Sequence, residues 1–143
     1  MIPLATIRLR LQSSNLQGIQ RVQGAAQLSV AIERQQFDAD AYVTLQEVKA
    51  KANTLINRVS QQLTARIGVV QIVREAGSPT GASQGDALEL RRDALIAALL
   101  GWSPDVPNGY SPMVYAGGKL LDFDGVNLVW ADEFETDFLL RSV

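Results

Sequence analysis

A chain of 143 residues, 47% apolar and 20% charged, is long enough to bury a core of its own. It has no cysteine and no histidine, which excludes disulfides, thiolate metal sites and any Ser-His-Asp or Cys-His catalytic set within the chain. The net charge of −2 hides an asymmetry: residues 1–75 hold nine Lys+Arg against five Asp+Glu, and residues 76–143 hold four against ten.

Residues Ile2 to Gln12 carry two periods at once. Ile7, Leu9 and Leu11 alternate as in a strand, while Leu4, Ile7 and Leu11 share one helix face. Pro3 favours a helix's first turn and tips the reading to helix, which Ser13-Ser14-Asn15 ends. The start MIPLATIRLR is not expected to be a signal peptide, and no run of about 18 apolar residues marks a membrane-spanning helix. A short apolar segment around Ile19–Val22 has the character of an edge strand. Gly24 then opens AAQLSVAIERQQ, where Ala25, Leu28, Ile32 and Gln35 trace a helical stripe. The glutamines dense through residues 12–36 form its polar side, since apolar residues interrupt them at helical spacing.

Phe37-Asp38-Ala39-Asp40 predicts a turn, Ala41 to Val48 a strand, and Lys49 to Asn57 a mobile connection. Gln61 to Glu75 predicts a second long strand. Between Ile67 and Val73 both parities are apolar, Ile67, Val69 and Val73 against Val70 and Ile72, so this strand is central or covered on both faces. Ala76 to Gly85 (AGSPTGASQG) reads as a loop, and Asp86 as an N-cap completing a capping box with Glu89. The helix that follows runs to Leu100 with Leu88, Leu95 and Leu99 on one stripe, and Gly101 is its terminator. A Pro/Gly-rich crossing, DVPNGYSP, leads to Met113 and the last strands.

The final stretch, Lys119 to Arg141, is a long hairpin with Asp124-Gly125 as its turn signal. From Val126 the alternate residues Val126, Leu128, Trp130, Asp132, Phe134, Thr136, Phe138 and Leu140 are mostly apolar, and the opposite parity mostly polar or acidic. At about 3.3 Å per residue the run reaches on the order of 50 Å, which calls for a bend, a bulge near Asp132, or an arm reaching past its own subunit. The elements sum to one α+β domain over residues 1–143, of helix-strand-strand-helix-strand-strand type with a long C-terminal β-hairpin.

Little of this composes a catalytic site. GSPTGASQGD precedes a helix but lacks a Gly-Lys-Ser/Thr ending, so a loop before a helix explains it better than a phosphate cradle. Asp122, Asp124 and Asn127 resemble a fragment of a calcium loop whose glycine comes too early and whose closing glutamate is missing; a turn explains them. Asp132, Glu133, Glu135 and Asp137 are the densest carboxylates, and Glu133, Glu135 and Asp137 share one strand face with charges about 7 Å apart. A solvated acidic stripe fits them better than a metal site or a catalytic pair, which needs carboxylates converging across a cleft. Trp130, on the apolar parity, reads as core. Trp102, just past a helix end, either anchors the crossing or touches a neighbour, and with Tyr110 and Tyr115 it is a candidate subunit or partner contact. The unlike charge of the two halves suits head-to-tail contacts between copies, as in a ring, or makes one dipolar surface with no partner.

Three segments carry a resemblance: Ala97-Ala98-Leu99-Leu100-Gly101-Trp102-Ser103-Pro104, Ser111-Pro112-Met113-Val114-Tyr115-Ala116-Gly117-Gly118-Lys119-Leu120, and Trp130-Ala131-Asp132-Glu133-Phe134-Glu135-Thr136. Together with Gly24-Ala25-Ala26 before a helix and Ala41-Tyr42-Val43, they resemble the tail terminator family of long-tailed bacteriophages, in particular its Mu-like group. Asp40 stands where that pattern has a proline, and Thr44 to Thr64 lie outside the match. The resemblance implies a mixed or antiparallel sheet, here of about four strands, with two to three helices packed against it. It also implies a structural virion protein with no enzymatic activity, metal or cofactor. Such a protein forms a hexameric ring on the head-proximal end of the tail tube, stops tube growth and docks the head's connector or stopper protein. The implied partners are further copies of the chain, the tail tube protein and the connector, with no membrane. Genomic DNA passes through the lumen without specific binding, and Glu133, Glu135 and Asp137 are candidates to face it. The implied location is the virion tail, and the host cytoplasm during assembly. The alternatives are another neck, tail-completion or head-tail joining ring protein and, more remotely, a small acidic-site metal-dependent hydrolase, which a bound metal or a convergent cleft would reveal.

Overall fold

The computed structural model describes residues 2–16, 18–34, 36–74, 82–124 and 126–142, without the side chains of 82–84. Three helices, α1 (Leu4–Ser13), α2 (Ala25–Arg34) and α3 (Ala82–Leu99), accompany five strands: β1 (Val22–Gly24), β2 (Ala41–Ala50), β3 (Ser60–Arg74), β4 (Val114–Phe123) and β5 (Asn127–Arg141). The strands form one mixed sheet in the order β1-β2-β3-β5-β4. The fold is therefore α+β with a C-terminal hairpin, as expected, with one strand more than expected. The edge strand expected around Ile19–Val22 is β1, which covers only Val22–Gly24 and pairs parallel with β2 from Val22↔Ala41 to Gly24↔Val43. Asp40 fixes its start, since the carboxylate accepts hydrogen bonds from the backbone N–H groups of Gln20 (3.0 Å) and Arg21 (3.1 Å).

The helix reading of the N-terminus holds. Pro3 stands at the N-cap of α1, and Ile7 and Leu11 are buried on the face deduced from their spacing. Asn15, with φ of 51°, follows the helix end. In α2 the face is rotated from the expected one: Leu28 and Ala31 are buried, whereas Ala25 and Ile32 face solvent. Gln35 lies outside the described residues. The segment beyond Val48 begins as strand, not as the mobile connection expected from Lys49. Lys49 and Ala50 continue β2, and the following turn is organised by Asn53, whose amide donates to the carbonyls of Leu55 and Arg58 at 3.1 Å each. Most of Ala76–Gly85 lies outside the described residues, but α3 is already helical at Ala82, so Asp86 and Glu89 sit inside the helix and form no capping box. Leu88, Leu95 and Leu99 are the buried stripe of α3, and Gly101, with φ of +77°, ends it as expected because left-handed backbone suits glycine.

β3 and β5 form the spine. They pair antiparallel without interruption from Ser60↔Arg141 to Arg74↔Asn127, so β5 lacks the bulge near Asp132 that its length suggested. The register shifts lie on the strands flanking the spine, between Leu45 and Glu47 on β2, past the three residues that β1 covers, and between Tyr115 and Gly117 and between Leu120 and Asp122 on β4. Bulges and charges on outer strands blunt the open edges of a sheet. On one face of the spine, α1 and α3 bury Ile67, Val69 and Phe134 with Ile7, Leu11, Leu95 and Leu99. On the other, α2 buries Val70, Ile72, Val129 and Ala131 with Leu28, Ala31 and Tyr42. The double apolar parity of β3 follows from this two-sided cover, and β5 shares it over Leu128–Phe134. Towards Ser60 and Arg141 the helices end, and the sheet continues as an arm.

One core residue goes against the pattern. Gln71 is fully buried in β3, and neither end of its amide has a hydrogen-bond partner among the described residues. A buried amide left unpaired costs about 1–3 kcal/mol. Gln71→Leu is therefore expected to stabilise the fold by about 1 kcal/mol, raising the midpoint of thermal unfolding by roughly 3 °C. Circular dichroism on heating checks this; a lowered midpoint would mean that the amide is hydrogen-bonded in solution, for instance to an enclosed water.

Candidate functional site

The side chain on which α3 and the final hairpin converge is Asp132. It lies on the apolar parity of β5, as its position in the alternation requires, and it is fully buried. Its Oδ1 accepts from the Tyr115 hydroxyl of β4 at 2.7 Å and from the Trp130 indole N–H at 3.1 Å. Arg92 of α3 supplies the counter-charge, with Nε 3.3 Å from Oδ2 and Nη2 3.3 Å from Oδ1. The same guanidinium donates to Tyr115 Oη at 3.1 Å, pairs with Glu89 at 2.9 Å, and lies 4.6 Å from the centroid of the Trp130 ring. Burial works against the charge of Arg92, but hydrogen bonds to Asp132, Tyr115 and Glu89 outweigh it and hold the proton above the ordinary arginine range. Burial, followed by the hydrogen bond to Asp132, likewise raises the Tyr115 phenol above its ordinary value. Gly118, paired with Asp132 across β4 and β5, leaves room for the cluster, since a Cβ there would lie 2.6 Å from Asp132 Oδ1 and 2.7 Å from Tyr115 Oη. Every donor here is committed to the carboxylate or its partners, so the cluster clamps α3 to the hairpin.

The expected acidic row lies on the opposite face of β5, beyond the end of α2. Glu133, Glu135 and Asp137 do share that face, but they are not a free solvated stripe. Arg66 of β3 sits between the first two, 3.3 Å from Glu133 and 3.2 Å from Glu135, and Lys119 of β4 is 3.8 Å from Glu133. Asp137 accepts from Thr64 Oγ1 at 2.6 Å and Gln62 Nε2 at 3.2 Å. Glu133 itself is only 9% exposed. The physical cause is the β3–β5 register, which sets Arg66 opposite Glu135 and Thr64 opposite Asp137. These partners are about 70 residues distant in sequence, beyond the reach of periodicity.

The three aromatic candidates fall in different environments. Trp102 is half-buried, its ring 5.3 Å from the Arg10 guanidinium, and its backbone ties the end of α3 to Met113. Tyr110 is 7% exposed and stacks on Phe138 with ring centroids 4.7 Å apart. Burial first, then the charge of Asp105, raises its phenol above the ordinary range. Tyr115 is 37% exposed and sets its ring edge-on to Phe134 while its hydroxyl serves Asp132. Sequence reasoning missed Arg92, Arg66 and Gly118, and treated Asp132 as one more surface carboxylate. Its place on the apolar parity was the one signal that marked it out.

No helix among the described residues is long and apolar enough to cross a membrane. Comparison with curated proteins gives no match. Comparison with family models gives one, described as phage tail terminator protein, which aligns with residues 1–142 and so takes in every element from α1 to β5. The chain belongs to the phage tail terminator family, a family of structural virion proteins of the tail.

Proposed function

We propose that this protein forms a hexameric ring on the head-proximal end of the tail tube, stops tube polymerisation and presents the docking face for the head's connector. The role is structural, not catalytic. The observation that supports it most directly is the family match over residues 1–142, joined to a sheet that continues as an arm well past its helices. A 15-residue strand buried on both faces at one end and exposed at the other suits a protein whose remaining cover comes from neighbours. The native mass across a concentration series, by light scattering coupled to size exclusion, tests the ring together with binding to purified tail tubes. Six copies of the 15.5 kDa chain, or a cap of six on the tube end, is the expected result. A protein that neither assembles nor binds tube ends overturns the reading.

In that ring the face bearing Glu133, Glu135 and Asp137 is assigned to the lumen. Phosphate binding is driven by free Lys and Arg. On this face Arg66, Lys119 and Lys49 are each paired with a carboxylate, to Glu133 and Glu135, to Glu133, and to Glu47 respectively. Where its cations are occupied in this way, as they are beside Glu133 and Glu135, the wall lets DNA pass without adhering. Substituting all three acids by lysine is expected to make the assembled ring retain duplex DNA in a salt-dependent manner. The milder pair Glu133→Gln and Glu135→Gln, which frees Arg66 while keeping side-chain shape, is expected to do so more weakly. Unchanged retention by both folded variants overturns the lumen assignment.

A further inference from the structure

The ring reading leaves open which surfaces of neighbouring copies meet, and two surfaces of this chain fit each other. The first is the outer face of α3. Opposite its buried stripe run Asp86, Leu90, Asp93, Ala97 and, just past the helix end, Leu100, at alternating spacings of four and three that place them on a single line. All five are exposed, Leu90 by 71% and Leu100 by 52%. The helix is thus apolar on two opposite sides, of which its own chain covers one. Its two arginines are turned inward, Arg92 to Asp132 and Arg91 to the Ile72 carbonyl, so Asp86 and Asp93 of the outer line have no ion pair among the described residues.

The second surface is the tip of the arm, residues 51–59, with the end of β5. It presents Ile56, 85% exposed, beside Leu55 and Val59, and its charges are Lys51, Arg58 and Arg141, with no acid between residues 51 and 59. None of these three cations forms an ion pair among the described residues. The tip is held in shape: Asn53 Oδ1 accepts from Ser60 N at 3.0 Å, Lys51 N donates to the Gln62 carbonyl at 2.9 Å, and Val59 N donates to Ser142 Oγ at 2.9 Å. A preformed apolar tip loses little conformational entropy on docking. It also stands apart from its own α3, since Leu88 packs on Val73, thirteen residues along β3 from Ser60, or roughly 40 Å.

We propose that the tip formed by Leu55, Ile56 and Val59, with Lys51, Arg58 and Arg141, docks on the Asp86-Leu90-Asp93-Ala97-Leu100 line of α3 in a neighbouring copy. This rests on the ring reading, and it names the contact that builds the ring. Apolar residues meet apolar residues, and a basic rim meets an acidic one, which sets both the attraction and the direction. Because the two surfaces differ, the contact is heterologous and propagates head to tail, as closure into a ring requires.

The test uses the full chain with Ile56→Asp in the tip or Leu90→Asp in the helix line, both exposed positions, with folding checked by circular dichroism. Each variant alone is expected to run as a monomer where the wild type assembles. Mixed in equal amounts they are expected to give a dimer, because each retains the surface the other has lost. Arg58→Glu is expected to weaken assembly by roughly ten-fold, and adding Asp93→Arg in the same chain to restore it. A wild type that assembles while both single variants keep its mass overturns this contact and leaves the ring standing. Monomeric variants whose mixture stays monomeric overturn the tip-to-helix pairing. A wild type that is monomeric at every concentration and does not bind tubes overturns the contact and the ring together.

Discussion

Replacing Asp132 by alanine is expected to cost about 3–5 kcal/mol and to lower the unfolding midpoint by roughly 10 °C or more. The loss arises from what the carboxylate leaves behind. Arg92, held largely inside the fold, loses its counter-charge, while the Tyr115 hydroxyl and the Trp130 N–H lose their acceptor. Removing one partner of a buried pair strands the other in a medium that solvates it poorly. Asp132→Asn is expected to cost less, because an amide oxygen still accepts from Tyr115 or Trp130, although it cannot neutralise Arg92. Replacing both charges, as in Arg92→Met with Asp132→Leu, is expected to cost less than Asp132→Ala alone, since no charge is then left unpaired. Thermal unfolding of the three variants checks this. A loss below about 1 kcal/mol for Asp132→Ala would show that Arg92 swings to solvent and that the cluster does not clamp α3 to the hairpin.

Much of this architecture is legible in local pattern. The stripe of Leu88, Leu95 and Leu99, the glycine that ends it at Gly101, and the central position of Ile67–Val73 all follow from period and turn chemistry. What local pattern misreads has one cause in each case: a partner distant in sequence. The face of α2 is chosen by Tyr42 and Ala131, not by the helix's own spacing, so Ile32 is left outside. The parity of β5 that looks polar carries Val129 and Ala131 into a second core because α2 covers it. The edge strand expected around Ile19–Val22 forms instead at Val22–Gly24, where β2 offers it a partner. The candidate site follows the same rule. The spacing of Glu133, Glu135 and Asp137 gives their shared face correctly, whereas the Arg66 and Lys119 that neutralise them come from other strands. Tyr110 and Tyr115, chosen as contacts by residue type, turn out to have rings engaged with Phe138 and Phe134. The contact surfaces proposed above lie elsewhere, on the exposed apolar residues of the arm tip and the outer line of α3.

Phe134→Ala is expected to be about as damaging as loss of Asp132, at about 3–5 kcal/mol, and through a different term. The ring is fully buried at the middle of β5, opposite Ile67, among Leu95, Leu99 and Met113, with Tyr115 edge-on at 5.6 Å. Truncation opens a cavity at the point where two helices and the spine of the sheet meet, where no neighbour is free to collapse inward. Leu140, six residues on and of the same parity, is 42% exposed, so Leu140→Ala is expected to change stability by no more than about 0.5 kcal/mol. Urea unfolding of both variants measures the contrast, with the midpoint falling sharply for one and holding for the other. Equal losses would mean that the arm is packed in the isolated chain. The expected contrast would instead divide β5 into a half that its own chain stabilises and a half left for assembly. Substitutions beyond Phe138 would then be free to change ring formation while leaving the fold intact.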